Sequence, residues 1–366
     1  TWRWSSSPRR CVFSPRPFDR VEPVGYLQVE AGGPSMQVEV TGLGTLAVDY
    51  FALLPRLIGA EEKIISHGYE VHPGGVAGNV LTQVARLGVG AGWFGMIGDD
   101  EPGEILVREF RKEGVDCSHA ETVAGEHTMI TWIQVDRRGE RSIVMFPNVL
   151  SRLTGEDVER KHGDYIRRSR VLHAEACLLP LAPVLRAMEI AREAGVKVVF
   201  DLDVPPSTFV REMGLGTMDQ VMRALELADV LIPCKAAAAE LLESGDIVGN
   251  ARRLLELGPR TVAITLGDRG CVVLDRDRFH TVPAFPVKVV DTTGAGDAFH
   301  GGFIYSVLKG MDLRDAGVLA NACGALCCTR VGARAMGTLE DINALIENGG
   351  KSQERERPLP EGPLPE

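Results

Sequence analysis

The chain has 366 residues, of which 45% are hydrophobic and 25% are charged, so it is long enough for one large or two ordinary domains. Its formal net charge of −10 argues against a nucleic-acid-binding surface, which needs a concentrated basic patch. No apolar stretch reaches the roughly 18 residues of a membrane-spanning helix. The eight cysteines include no Cys-x-x-Cys pair that would indicate zinc. We therefore expect a cytoplasmic protein, in a reducing compartment, with no nucleic-acid or membrane partner.

The two ends of the chain differ in composition from the rest. Residues 1–20 are rich in arginine, serine and proline and nearly free of acid, as in a transit peptide, but the prolines would interrupt an amphipathic helix. We expect residues 1–35 to form a disordered leader without a part in the fold. Residues 36–345 are expected to form the folded domain, and the charged, proline-rich residues 346–366 a disordered tail.

From about residue 36 onward, apolar strands alternate with helices. The spacing of apolar residues predicts helices over 77–88, 103–115, 181–195 and 218–228. Continuous apolar runs predict strands over 90–98, 170–176, 196–203, 229–234, 260–267 and 270–275. This alternation is typical of an α/β fold, with a mostly parallel sheet covered by helices on both faces. Ligands in such folds lie beyond the carboxyl ends of the strands.

Two strand-rich stretches interrupt this alternation. The first lies near residues 45–75, and the second is a predicted hairpin near residues 127–147. We expect the two stretches to form a small separate sheet over the main one.

The motif DTTGAGDAFHGG, residues 291–302, suggests the chemistry. It follows FPVKVV, which predicts a strand, and precedes an apolar helix, so Gly294, Ala295 and Gly296 lie at a helix N-terminus. Amides at such a turn attract anions, and glycine lets a phosphate approach the backbone closely. Asp297 could simply complement the helix dipole. Together with Asp291 and the small residues, however, it favours phosphoryl transfer in which Asp297 accepts a proton from the attacking hydroxyl.

The same residues resemble the second signature of the PfkB/ribokinase family of carbohydrate kinases. A first signature also occurs at residues 74–98, where Gly74, Gly75 and Asn79 have the family spacing and Leu81 departs from it. The resemblance covers about residues 36–345. It implies a ribokinase-like fold with a small β lid, from about 45–75 and 118–147. It also implies ATP-dependent phosphorylation of a sugar or sugar-acid hydroxyl, with Mg²⁺ and in many members K⁺.

The resemblance also implies roles for individual residues. It gives Asp297 as the catalytic base and the backbone of Gly294, Ala295 and Gly296 as the anion hole. The implied sugar-binding residues are Asp49, Gly74, Gly75 and Asn79. The implied ATP-binding residues are Thr265, Gly267 and Gly270 of one loop, and Asn321 near the adenine. Asp291 and Thr293 match positions that help to bind a monovalent cation.

One segment departs from the family pattern. Cys234 and Ala237 stand where an Asn-x-x-Glu pair usually organises magnesium and phosphate. Glu240, one helical turn further on, could take the place of the missing acid. Lys235 could instead meet the phosphates as a point charge, with Mg²⁺ held mainly by ATP and water.

The substrate remains open at this stage. Arg141 could meet an acidic or phosphorylated substrate or could be a solvated charge, and Glu175 could contact substrate or simply end a strand. A ribonucleoside is an alternative substrate, and a non-catalytic scaffold is an alternative function because the Asn-x-x-Glu pair is missing. Lid strands of this family often pair between subunits, so we expect a homodimer.

Overall fold

The structure is a computed structural model that describes residues 37–138 and 140–350. The leader predicted over 1–35 and residues 351–366 of the predicted tail lie outside the described residues. The predicted tail begins too early, because residues 346–350 belong to the last helix.

The described residues contain thirteen strands, including two that the sequence patterns did not predict, at residues 116–123 and 279–282. They are β1 (Val40–Leu43), β2 (Ala47–Leu53), β3 (Gly68–Gly74), β4 (Ala91–Gly98), β5 (Asp116–Val123), β6 (Ile130–Val135), β7 (Arg141–Phe146), β8 (Val171–Ala176), β9 (Lys197–Leu202), β10 (Val230–Pro233), β11 (Thr261–Thr265), β12 (Cys271–Leu274) and β13 (Phe279–Val282).

In the described part of the chain, nine strands form the main sheet in the order β13-β12-β11-β10-β9-β8-β1-β4-β5. Its strands are parallel from β11 to β5, whereas β12 and β13 are antiparallel. Several of them, including β4, β8 and β12, are buried along their whole length, as expected for a sheet covered on both faces. The predicted α/β class is confirmed.

The helices connect and cover these strands. They are α1 (Val76–Arg86), α2 (Glu101–Glu113), α3 (Gly155–Asp157), α4 (Gly163–Arg168), α5 (Leu181–Glu193), α6 (Met218–Leu227), α7 (Lys235–Leu242), α8 (Ile247–Asn250), α9 (Ala295–Lys309), α10 (Leu313–Cys327) and α11 (Leu339–Gly350). Helix α9 packs against both α1 and α10, which brings the two signature motifs together.

A second sheet of four strands, in the order β3-β2-β6-β7, comes from the two strand-rich stretches. It differs from the predicted lid at one point: β5 pairs with β4 in the main sheet, so residues 116–123 are not part of the second sheet. Strand β7 lies at an edge, and all six of its residues are exposed.

The segment FPVKVV, residues 285–290, does not form the predicted strand. Pro283 and Pro286 lack the N–H group that a ladder of hydrogen bonds requires, which explains the irregular path. The N–H group of Val290 instead donates to the carbonyl of Cys328, so the motif is entered from an extended loop.

Candidate active site

The glycine-rich turn at the start of α9 lies at the centre of the site. Gly294 has a φ of 78°, a left-handed conformation that residues with a Cβ rarely adopt. A Cβ at Gly294 would also overlap the carbonyl oxygen of Ala333. At Gly296, in contrast, a Cβ would meet no atom within 4 Å. The turn therefore leaves the beginning of α9 open to a ligand.

Some backbone N–H groups of this turn are free to donate a hydrogen bond to a ligand, and one is not. The Ala295 N–H group donates to the carbonyl of Thr292 over 3.2 Å, so the predicted anion hole loses this donor. The N–H groups of Gly294, Gly296 and Asp297 have no acceptor within residues 37–138 and 140–350, as expected before and within the first helical turn. These donors lie at the positive end of the α9 dipole, where a negatively charged group is stabilised.

Asp297 lies in the first turn of α9 and is partly buried. Its Oδ2 accepts a hydrogen bond of 2.7 Å from Nδ2 of Asn79 on α1. Burial raises the pKa of Asp297 from 3.8 to about 7, although the Asn79 bond acts to lower it. The negative charges of Asp203 and Asp201 act in the same direction as burial. A carboxylate with a pKa near neutrality is suited to accept and release a proton.

The turn before α1 lies against the second sheet. Gly75 has a φ of 85°, and a Cβ there would come within 2.5 Å of the Thr45 carbonyl oxygen. A Cβ at Gly74 would overlap the carboxyl of Asp49, which lies on β2. Burial raises the pKa of Asp49 to about 6, against the lowering effect of a hydrogen bond with Thr131. Asp49, Gly74, Gly75 and Asn79, the residues assigned to sugar binding, are thus brought together.

A cleft of about 500 Å³ lies on the other side of the α9 N-terminus. It is lined by Ala295 and Gly296 and by four of the five residues assigned to ATP, which are Thr265, Gly267, Gly270 and Asn321. Gly270 has a φ of 91°, and a Cβ there would overlap the carbonyl oxygen of Val282. Asn321 donates to the carbonyls of Val282 (3.0 Å) and Pro283 (3.1 Å), so its amide group holds the wall of this cleft.

Asp291 shapes the loop that precedes α9. Its Oδ1 accepts from the N–H and hydroxyl groups of Thr293, and its Oδ2 accepts from the Gly332 N–H group over 2.9 Å. Burial acts to raise the pKa of Asp291, but these bonds and the positive charge of Arg141 outweigh it, so the pKa is lowered. Asp291 is therefore an anion at neutral pH and ties the 332 loop to the motif.

In the segment that departs from the family pattern, Cys234 and Glu240 form hydrogen bonds within the protein. Sγ of Cys234 accepts from the N–H group of Ala237 over 3.3 Å and caps α7. Ala237 is fully buried. Both carboxylate oxygens of Glu240 are bound by the N–H and hydroxyl groups of Ser207, so Glu240 does not replace the missing acid. Lys235 is exposed at the start of α7 and is not among the described residues that line the cleft.

The structure shows the positions of Glu175 and Arg141, for which the sequence left two roles possible. Glu175 is fully buried, and its carboxylate accepts from the N–H and hydroxyl groups of Thr45 and from the N–H group of Ala77. The prediction of a substrate contact by Glu175 is wrong, because it joins the β1–β2 turn to α1 and has no free surface. Arg141 is exposed on β7, and its charge reaches Asp291.

The sequence reasoning missed two charged residues near Asp297. Asp203 directly follows β9, and the carboxyl end of that parallel strand was the signal that could have identified it. Arg334 contacts Asn79 and Gly74, but no local pattern marks it, because these partners are 255 and 260 positions away in the sequence.

The described residues contain neither a helix long and apolar enough to cross a membrane nor a group of three or more His, Cys, Asp or Glu side chains arranged for a metal ion. Those residues therefore offer no preformed cage of such side chains for Mg²⁺.

Comparison with known proteins identifies the family. A family model described as pfkB family carbohydrate kinase matches residues 39–340. The chain is 31% identical to the ribokinase of Haemophilus influenzae, over 82% of this chain and 95% of the relative. It is also 31% identical to fructokinase-1 of Zea mays, over 84% of this chain and 97% of the relative. The crystal structure of Thermotoga maritima ribokinase matches with a TM-score of 0.74 and 25% identity, over 85% of this chain and all of that one.

These matches confirm the resemblance inferred from the two motifs. The family implies that ATP and Mg²⁺ are used. The chain belongs to the pfkB family of carbohydrate kinases and is an ATP-dependent carbohydrate kinase with a ribokinase-like fold.

Proposed function

We propose that this kinase transfers the γ-phosphoryl group of ATP to a hydroxyl of a sugar or sugar acid, with Asp297 as the general base. The observation that carries the proposal is the position of Asp297. Its carboxylate is bonded to Asn79 beside the sugar-side turn, while its own N–H group and that of Gly296 start the helix that borders the nucleotide cleft. The first turn of α9 thus borders both the sugar-side residues and the nucleotide cleft.

The proposed step balances as follows. The substrate hydroxyl oxygen forms a bond to the γ-phosphorus, and the bond from that phosphorus to the β–γ bridging oxygen breaks, so ADP leaves with the electron pair. Asp297 accepts the hydroxyl proton. The N–H groups of Gly294, Gly296 and Asp297 stabilise the negative charge on the phosphoryl oxygens, and one such donor is worth about 3 kcal/mol. Mg²⁺, held by the nucleotide and water, would neutralise phosphate charge.

The acceptor is expected to be a polyhydroxylated sugar or sugar acid, because Asp49 presents a carboxyl toward the turn of Gly74 and Gly75. Relatives named ribokinase and fructokinase, at equal identity, support both a pentose and a ketohexose as candidates. A charged substrate would find Arg141 on β7. A nucleoside acceptor and a non-catalytic scaffold are the alternatives, and the open glycine turn of α9 argues against the scaffold.

We also propose a site for a monovalent cation and a surface for a homodimer. A monovalent cation such as K⁺ would lie near Asp291 and the carbonyl of Thr293, because Asp291 is anionic there. A homodimer would cover the second sheet. Strand β7 is an open edge, and Trp132, Ile143 and Phe146 are exposed apolar side chains on β6 and β7.

The test is a substrate screen with the full chain. ADP formation from ATP is measured with D-ribose, D-fructose, aldonic and keto-deoxy sugar acids and ribonucleosides, with and without Mg²⁺ and K⁺. We expect Mg²⁺-dependent turnover of a sugar or sugar acid and its loss in Asp297→Asn. If the enzyme phosphorylates only nucleosides, its substrate is a nucleoside and not a sugar or sugar acid. Absence of turnover with every acceptor would favour the scaffold.

A further inference from the structure

We propose that Arg334 is a positioning residue: its guanidinium fixes the side-chain amide of Asn79, so that Asn79 holds the Asp297 carboxylate toward the acceptor hydroxyl. Nε of Arg334 donates to Oδ1 of Asn79 over 3.0 Å. Nδ2 of Asn79 donates to Oδ2 of Asp297 over 2.7 Å. The three side chains form one chain of hydrogen bonds. This inference rests on the proposed role of Asp297 as the base.

The chemistry of the two outer groups dictates how the amide is oriented. A guanidinium has only donors, whereas a carboxylate has only acceptors. The oxygen of the Asn79 amide must therefore face Arg334, and its NH₂ group must face Asp297. Without Arg334, either end of the amide could turn toward other partners, and the carboxylate would lose a fixed donor. The arginine thus acts on the base through the asparagine, without touching the base itself.

The fold provides a dedicated place for this guanidinium. Nη2 of Arg334 donates to the carbonyl of Gly74 over 3.3 Å, in the turn assigned to sugar binding. A Cβ at Gly78 would lie 2.8 Å from Nη2, so α1 has a glycine where the guanidinium passes. The ring of Phe110 on α2 lies 5.5 Å from the guanidinium carbon. Arg334 therefore packs between α1 and α2 and connects the sugar-side turn with Asn79.

Helix α1 also fixes the backbone around Arg334. Nη1 of Arg86 donates to the carbonyls of Arg334 (2.9 Å) and Met336 (2.7 Å). Nε2 of Gln83 donates to the carbonyl of Gly337 over 3.1 Å. Asn79, Gln83 and Arg86 are spaced at i, i+4 and i+7 and share one face of the helix. One side of α1 thus holds both the backbone and the side chain of the loop.

A stabilising role does not account for this arrangement. No carboxylate lies within ion-pair distance of Arg334 in the described ranges, and Nη1 of Arg334 is buried without a hydrogen-bond partner there. Burial lowers the pKa of Arg334 to about 10, so the group is still a cation at neutral pH. The negative charges of Glu113, Asp49 and Glu109 act on the guanidinium from beyond ion-pair distance and compensate its burial only in part, so the buried cation costs stability. The guanidinium is better explained by what it does to Asn79 and Asp297.

The test is a double-mutant cycle with Arg334→Met and Asn79→Ala in the full-length enzyme. Met keeps the length of the stem and removes the donors. We expect Arg334→Met to lower kcat about 10- to 100-fold, because a misplaced base is inefficient, and to leave the KM for ATP unchanged. The acid limb of the kcat profile should move to higher pH, because the Asn79 bond lowers the pKa of Asp297. Three further charged or titratable groups, Asp201, Asp203 and His300, act on Asp297 and are unchanged in the variant.

The decisive result is non-additivity. If Arg334 acts through Asn79, then Arg334→Met has no further effect on kcat in the Asn79→Ala background. Additive losses would overturn the proposal, as would a normal kcat and acid limb in Arg334→Met. The matched control is Arg330→Met, the exposed arginine of the same loop, which should behave like the wild type. Should Arg334→Met not fold, Arg334→Lys keeps the cation but places a methylene where Nε donates to Asn79, and it is expected to reproduce the loss of kcat. Normal turnover by a folded Arg334→Lys would equally overturn the proposal.

The outcome is separable from failure of the proposed function. The cycle is run with whichever of D-ribose and D-fructose the wild-type enzyme phosphorylates, alongside Asp297→Asn. If Asp297→Asn keeps its kcat, the base assignment fails. If Asp297→Asn is inactive but the Arg334 and Asn79 losses are additive, only the positioning role of Arg334 fails.

Discussion

The raised pKa of Asp297 predicts that replacing this residue makes the protein more stable. The substitution is Asp297→Asn, which keeps the size and an oxygen that can accept the bond from Asn79. The folded protein binds the proton of Asp297 more tightly than the unfolded chain, because its pKa is about 7 instead of 3.8. The wild type therefore loses stability as the pH rises from about 4 through about 7, whereas the amide variant has no such loss.

The magnitude follows from that difference. About three pKa units at about 1.36 kcal/mol each give an upper limit of about 4 kcal/mol. Asp297 keeps part of its surface in solvent, which screens the charge, so we expect about half of this value, about 2 kcal/mol, above about pH 8. Near pH 4 the wild-type carboxyl is protonated, and the two proteins should be equally stable.

Urea unfolding at a series of pH values measures this difference as a shift in the transition midpoint at constant slope. The matched control is Asp277→Asn, an exposed carboxylate whose removal should leave the midpoint unchanged at every pH. Turnover of Asp297→Asn should fall by about 10²- to 10⁴-fold, since the base is removed. An equal or lower stability of Asp297→Asn at about pH 8 would refute the reasoning, because the carboxylate would then not be desolvated.

Three further predictions follow from the site. The kcat/KM of the wild type should rise about tenfold from about pH 6 to about pH 8, since Asp297 must be ionised and its pKa is about 7; a coupled ADP assay checks this. Gly294→Ala should destabilise the protein by about 1–3 kcal/mol and abolish turnover, because of the positive φ and the overlap with Ala333, as measured by urea unfolding and the same assay. Restoring the family pair with Cys234→Asn and Ala237→Glu should lower the melting temperature without improving the KM for MgATP, because position 237 is fully buried.

Each of these has a control and a contrary outcome. If kcat/KM is the same at about pH 6 and about pH 8, Asp297 does not act as the proton acceptor. Gly310→Ala is the control for Gly294, since Gly310 has a φ of 63° with open space around it, and it should retain turnover. Cys234→Asn alone should be tolerated, because asparagine is a good helix cap. A lower KM for MgATP in the double variant would contradict our account of the segment.

Local patterns predicted the fold and the glycine-rich start of α9, because both depend on neighbouring residues. The strand–helix alternation gives the parallel sheet, and the glycines of residues 294–296 mark an open helix start. The same patterns failed at residues 285–290, where an apolar run reads as a strand but Pro286, and Pro283 just before the run, lack the N–H groups that pairing requires. Residues 118–123 fell within the lid that the family resemblance implies, but they pair with β4 in the main sheet, and local patterns do not tell which sheet a strand joins.

The hydrogen bonds among the site residues could not be predicted from the sequence, because they form only when distant segments pack together. Asn79 and Asp297 are 218 positions apart, and the contact between α1 and α9 brings them within hydrogen-bond distance. In the sequence, Glu175 is an acid at the end of a strand, and such a residue can either bind a ligand or hold neighbouring segments together. Only the hydrogen bonds from Thr45 and Ala77 show that Glu175 does the latter. The spacing of apolar residues predicted α1, but the polar face that holds Arg334 was not recognised, because Arg334 lies 255 positions after Asn79.

The altered segment at residues 234–240 shows how a missing motif is reorganised. Sulfur replaces the asparagine oxygen as the cap of α7, and Glu240 is committed to Ser207, so neither group is free to organise phosphate. The free amides that begin α9 lie at the same cleft. In the proposed mechanism these backbone donors, whose direction Gly294 fixes, stabilise charge on the transferred group together with the metal held by the nucleotide. A site built in this way depends more on the geometry of that turn, and on the Asp297 carboxylate held beside it, than on any acid that binds the metal.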